Sequence, residues 1–321
     1  MMTAEHFVSH DMINRFAKLL EIKRLAHAYL FAGPKRTGKS ETALSVAKLV
    51  NCDRPTKEGF CDTCASCLKI NSHRHPDVHM TAPGEDSIKI DDIREILTQS
   101  QLRSFEAKIK VFIVADVDRL TLEAGNALLK TLEEPTKDTL ILLTTSVLDR
   151  VLDTIKSRCQ VCFFFPLSRE TLKKRFSADQ QVSDLESHFL AYFSEGCPGR
   201  IAEGESKDVL KRRNEIIDQF VLSDNDETYL KKILEDDRKT AEMIQFLFCW
   251  FRDLMLFQFN ITKAHLVNAD RVADLERSSR NYSFEELSDI LDDLTKTRKA
   301  LDDNFNVKIP LALLKEKIWK K

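Results

Sequence analysis

The chain has 321 residues, 49 lysines and arginines against 51 aspartates and glutamates, and only 8 glycines. That length accommodates two or three domains with their own cores, and the scarcity of glycine disfavours an all-β fold built on tight turns. The near-neutral balance excludes whole-molecule attraction to nucleic acid, so any DNA contact has to be local or supplied by partners.

No apolar run approaches the roughly 18 residues of a membrane span. The strongest candidate, Phe246 to Phe259, is interrupted by Arg252 and Asp253. His6, His10, Asp11 and Arg15 break up the first stretch, which therefore does not read as an export signal. A cytoplasmic location without membrane attachment is expected, and the 8 cysteines are not read as a disulfide framework.

In chain order, residues 12–25 carry apolar positions at helical spacing, and residues 27–32 form a short apolar run leading into a glycine-containing loop at 33–40. Helical periodicity resumes from Glu41 to Val50. A strand is expected at Val78–Thr81, a helix over 90–100, and a strand at 110–115. A helix over 125–134 follows, then strands at 140–145 and 161–165. Strands alternating with helices argue for a parallel sheet covered by helices on both faces, an α/β fold. From Arg169 onward strand signals stop and helical patterns dominate, including Arg169–Phe193 and Val209–Phe259. The aromatic stripe of Phe246, Phe248, Trp250, Phe251 and Phe257 is expected in a core or a subunit interface. The expected division is an α/β domain at 1–167, a small helical unit at 168–205 and a helical domain at 206–321.

Gly33-Pro34-Lys35-Arg36-Thr37-Gly38-Lys39-Ser40 fits the phosphate-binding pattern G-x-x-x-x-G-K-[ST]. Glycines let backbone N–H groups curl around a phosphate, and the following helix offers the positive end of its dipole. Lys39 is expected to reach the β- and γ-phosphates and Ser40 to ligate Mg²⁺. The loop thus implies ATP or ADP, with Mg²⁺ where nucleotide binds, and leaves open whether the site is used.

Cys52, Cys61, Cys64 and Cys67 have the spacing C-x8-C-x2-C-x2-C. Four thiolates suit the tetrahedral preference of structural Zn²⁺ and leave no open position for catalysis. His73, His75 and His79 lie nearby as competing ligands, but the four cysteines suffice. This zinc-binding module, at about 52–67, is an insertion in the α/β domain.

A phosphate-transferring site wants an Asp for Mg²⁺ at the end of the next strand and an adjacent acid to activate water. The sequence there is Val114-Ala115-Asp116-Val117-Asp118. If Ala115 holds the metal position the carboxylate is missing, and if Asp116 holds it the adjacent base is missing. Asp118 shares a face with Asp116 only if the strand continues. An ordinary pair of solvated aspartates is the other reading.

HAYLFAGPKRTGKS, the four-cysteine insertion, GNALLKTLEEP and TIKSRCQ together resemble the bacterial DNA polymerase III clamp-loader ATPase family, of the AAA+ class. The likeness covers residue 6 to about 205 and continues more weakly through Arg298 to Leu314. It implies an AAA+ domain, a helical lid and a helical collar. The collar would join motor (tau/gamma) and delta subunits into a heteropentamer that loads a sliding clamp on primer-template DNA.

By the same resemblance, Arg158 in Ser157-Arg158-Cys159 is a finger projecting into the neighbouring subunit's ATP site. Arg200 is carried by a lid turn that faces nucleotide, and Thr144 and Thr145 lie where the family senses it. The degenerate acidic pair and a chain that stops at Lys321 favour the delta-prime branch, a stator with weak or absent ATPase of its own. The competing readings are an ATP-hydrolysing motor of the same complex and a zinc-containing nucleic-acid-binding module.

Overall fold

The computed structural model describes residues 9–56, 59–84, 87–178, 182–201, 204–222, 233–259, 261, 265–303 and 305–319. They fall into two compact units, 1–167 with 197–200, and 168–196 with 201–321.

In the first unit the elements run α1 (His10–Glu21), β1 (Ala28–Ala32), α2 (Lys39–Asn51), α3 (Ala65–Asn71), β2 (Val78–Thr81), α4 (Ile90–Gln101), β3 (Lys110–Val114), α5 (Leu122–Glu133), β4 (Thr139–Thr145), α6 (Asp153–Lys156) and β5 (Gln160–Phe163). Among the described residues all paired strands run parallel, in the order β2-β3-β4-β1-β5. The central strands AYLFA, KVFIV and TLILLTT are buried along their whole length. Such runs are what a sheet covered on both faces requires.

Alternate residues feed two cores. Tyr29, Phe31, Val111, Ile113, Leu140 and Leu142 pack with Phe16 and Val46 on one face. Leu30, Phe112, Val114, Ile141 and Leu143 pack with Ile93 and Leu128 on the other. Full burial of one such side chain contributes about 1.5–3 kcal/mol, so the two faces outweigh any single hydrogen bond in fixing the sheet.

The expected fold class is what is observed, with shifts at element ends. The first helix stops at Glu21, short of residue 25, because Lys23 takes a positive φ of 53°. Strand β5 ends at Phe163; Phe164 N–H still donates to Ala32 O (2.7 Å) before the chain leaves the sheet towards Pro166. Helix α5 starts three residues early because Thr121 caps it, accepting from Ala124 N–H. Helix α3, capped by the Cys64 sulfur, was not anticipated.

The second unit contains α7 (Arg169–Ser177), α8 (Asp184–Phe193), α9 (Ser206–Ile216) with a π-helical continuation at Ile217–Leu222, α10 (Asp237–Gln258), α11 (Val272–Ser279), α12 (Phe284–Asp302) and α13 (Lys308–Ile318). The aromatic stripe of α10 lies in its core. Phe246, Trp250 and Phe251 are buried there with Phe189 of α8 and with Leu287, Ile290 and Leu294 of α12. Within this core Asp253 accepts from the backbone N–H groups of Val267 (3.0 Å) and Asn268 (2.7 Å), which ties α10 to the segment before α11. The helical stretch expected at Val209–Phe259 includes residues 223–232, which lie outside the described residues.

Candidate functional site

Every strand of a parallel sheet presents its carboxyl end to the same side, and ligands of such folds bind there. The P-loop leaves the carboxyl end of β1. Gly33 N–H donates to Thr145 O (3.2 Å), which anchors the loop to the end of β4. A Cβ at Gly33 would lie 2.1 Å from Phe164 O, so no other residue fits without moving the backbone. The loop then folds around its own lysine. Lys39 Nζ donates to Gly33 O (2.8 Å) and Pro34 O (2.7 Å), and Thr37 Oγ1 donates to Pro34 O (2.8 Å).

Gly38, at φ 86°, turns the chain into α2 without a side-chain cap. The first amides of that helix, including those of Lys39 and Ser40, therefore have no intrahelical acceptor and suit an anion. Burial holds the Lys39 ammonium below the ordinary lysine pKa, while Asp116 and Asp118 act in the opposite direction. The turn Pro198–Arg200 belongs to the same compact unit, and Gly199 N–H donates to Arg36 O (3.0 Å). Arg200 is thus carried to the rim of the loop.

The strand-end aspartates do not share a strand face. Strand β3 stops at Val114, Ala115 N–H still reaches Thr81 O (2.8 Å), and Asp116 turns left-handed at φ 50°. Val117–Arg119 is a 3-10 turn. Asp116 N–H donates to Thr144 Oγ1 (3.1 Å). Asp118 Oδ1 accepts from Thr145 Oγ1 (2.7 Å) and from Ser146 N–H (3.1 Å). Asp118 and Thr144 thus act as braces of the strand ends. These contacts span 27 and 28 residues, and no local pattern in the sequence marks such pairings.

The cysteines come together at the other end of α2. Their four sulfurs lie within 4.8 Å of one another, and Cys52, Cys64 and Cys67 are buried. Zn–S bonds of about 2.3 Å in a tetrahedron separate sulfurs by about 3.8 Å, so the cluster is of the right size. Backbone N–H groups of Cys61, Cys64 and Cys67 point at the sulfurs of Cys52, Cys61 and Cys64 at 3.3–3.4 Å. Such donors favour thiolates.

Hydrogen bonds from Thr63 lower the Cys61 thiol to about 6, whereas burial raises Cys52 and Cys67. A divalent cation among the four sulfurs would reverse the burial effect. His75 is engaged elsewhere, accepting from Asp77 N–H (3.2 Å). His79 stacks on Phe112.

Arg158 follows α6 and precedes β5, at the amino end of the sheet. Its Nη2 pairs with Glu133 Oε1 (2.7 Å), and its Nη1 donates to Thr154 O (3.0 Å). The side chain stays 36% accessible. Strand β5 is 4 residues long, and at about 3.3 Å per residue it sets Arg158 roughly 13 Å or more from its own P-loop.

Two family models match this chain. Residues 8–168 match the model described as DNA polymerase III, delta subunit, and residues 207–316 match that of its C-terminal part. Among curated proteins, the chain is 29% identical over 310 residues to DNA polymerase III subunit delta' of Bacillus subtilis, covering 93% of each. It is 28% identical over 268 residues to subunit delta' of Pseudomonas aeruginosa, covering 78% of this chain and 77% of that one. It is also 28% identical over 264 residues to subunit tau of Bacillus subtilis, covering 74% of this chain and 46% of that one.

Proposed function

This chain belongs to the DNA polymerase III delta-subunit family, and we propose that it acts as a stator of the clamp loader. As a delta-prime-like subunit it serves a neighbour's nucleotide site and does not turn over ATP productively itself. Its lid (168–205) and collar (206–321) assemble with motor (tau/gamma) and delta subunits, and the complex loads a sliding clamp on primer-template DNA. One structural Zn²⁺ is held by Cys52, Cys61, Cys64 and Cys67. Gly33, Thr37, Gly38, Lys39, Ser40, Thr145 and Arg200 form a nucleotide-binding cradle. Among the described residues no helix is long and apolar enough to cross a membrane.

The observation that carries this reading is the separation of Arg158 from its own P-loop by the length of the sheet. Placed there, the guanidinium serves only a phosphate presented by another chain. A planar, permanently charged fork stabilises the charge that develops on a γ-phosphate as it leaves, without itself moving a proton. Glu133 holds the fork in place until a neighbour's phosphate competes for it. The intact P-loop favours the motor alternative, but Ala115 supplies no carboxylate at the strand end.

Arg158→Ala in the reconstituted complex tests this. Loss of an arginine finger costs about 10³–10⁵ in rate at the site it serves, so one site should fall silent while assembly persists. Arg158→Lys should rescue poorly, because a point charge does not reproduce the fork. Wild-type ATPase and clamp-loading rates for Arg158→Ala, in a complex shown to contain it, would remove Arg158 from the mechanism.

A further inference from the structure

We propose that the P-loop of this chain holds a nucleoside polyphosphate without a divalent cation. The proposal rests on the nucleotide reading of the loop given above and concerns what accompanies the phosphates there. P-loop chemistry ordinarily adds Mg²⁺, held by the Ser of the loop and a strand-end carboxylate. The residues of this chain do not fit that ion.

Three positions are within reach of the role: one has no carboxylate, one has its carboxylate on β4, and one is turned out of the strand. Ala115, at the end of β3, has only a methyl group, and its N–H is committed to Thr81 O (2.8 Å). Asp118 is committed to β4: a single oxygen accepts both Thr145 Oγ1 (2.7 Å) and Ser146 N–H (3.1 Å). Drawing it to a cation would strip the fully buried Thr145 hydroxyl of that partner. Asp116 is turned out of the strand by its left-handed backbone, with its N–H on Thr144 Oγ1.

The cation built into the site is Lys39. Its ammonium sits at the centre of the loop, on Gly33 O and Pro34 O, and is the group that both aspartates act on. Incoming phosphates thus meet the Lys39 ammonium, the backbone amides of the loop and α2, and Arg200 at the rim, with Ser40 offering its hydroxyl.

Calorimetric titration of the full chain with ADP, in Mg²⁺ and in EDTA, tests this. The dissociation constants should agree within about threefold, and Ala115→Asp should introduce a Mg²⁺-dependent tightening of about tenfold or more. If Ala115→Asp does not fold, the wild-type pair of titrations decides alone. Wild-type binding tightened more than about tenfold by Mg²⁺, and relieved of that dependence by Asp116→Asn, would overturn the inference by making Asp116 a metal ligand. Binding that is absent in both conditions, or that survives Lys39→Ala, would overturn the nucleotide reading of the loop and this inference with it.

Discussion

The two ends of the sheet are both braced by an aspartate, and they use it differently. At the amino end Asp77 is buried and accepts from the backbone N–H groups of Phe105, Glu106 and Ala107 at 2.8–2.9 Å, with Lys110 Nζ 3.8 Å away. Asn51, at the edge of the cysteine module, adds paired bonds to Ile109 (2.9 and 3.0 Å). That end is fixed by dedicated groups, and Arg158 stays half-buried and available. At the carboxyl end Asp118 is drawn into bracing β4, where a phosphate-transferring site would keep its carboxylates for metal and water. Rigidity and chemistry thus compete for the same few carboxylates, and under the proposed role the chemistry is left to Arg158.

Losing the proposed zinc would break the amino end most severely. Metal binding by such a four-thiolate set contributes about 10–16 kcal/mol in small zinc domains, so Cys67→Ser should lose zinc and unfold the module. Elemental analysis of washed protein should give about one zinc per wild-type chain and much less for the variant. Metal-free wild-type protein with four freely titrating thiols would contradict the assignment.

Asp77→Ala comes next. It leaves three backbone amides and the Lys110 ammonium without their carboxylate, at a cost of about 3–5 kcal/mol by comparison with other broken buried pairs. Denaturant unfolding measures it. Although burial opposes ionisation, the Glu106, Phe105 and Ala107 amides and Lys110 hold the Asp77 carboxyl below its ordinary value. Its contribution is therefore present above the unfolded-state pKa and is lost as pH falls through the lower folded value. The difference between wild type and variant should shrink in acid.

Glu133→Gln is the mildest change. The Arg158–Glu133 pair is partly exposed, and such pairs contribute about 0–1 kcal/mol, so stability should scarcely move. Clamp-loading rate should still respond if Glu133 positions the fork, and an unchanged rate would limit Glu133 to a passive contact.

Much of this was legible in the sequence because the signals were local. An apolar run followed by GPKRTGKS marked β1, the loop and α2 in order, and four clustered cysteines announced their meeting. The acidic stretch after β3 was not legible, since period-two alternation does not say where a strand stops. The left-handed turn at Asp116 decided it. Helix α3 was hidden because it starts beside Cys64 and its 7 residues are too few for a periodic signal. No local pattern marks Asp77 either, because its partners lie 28–30 positions away.

The proposed role requires this chain to act on a neighbour's nucleotide and not on its own. ATP turnover by the reconstituted complex, with this subunit carrying either Lys39→Ala or Arg158→Ala, tests it most directly. Near wild-type turnover is expected for Lys39→Ala, and loss of one site's contribution for Arg158→Ala. The reverse pattern, loss with Lys39→Ala and none with Arg158→Ala, would make this chain a motor and contradict the stator role.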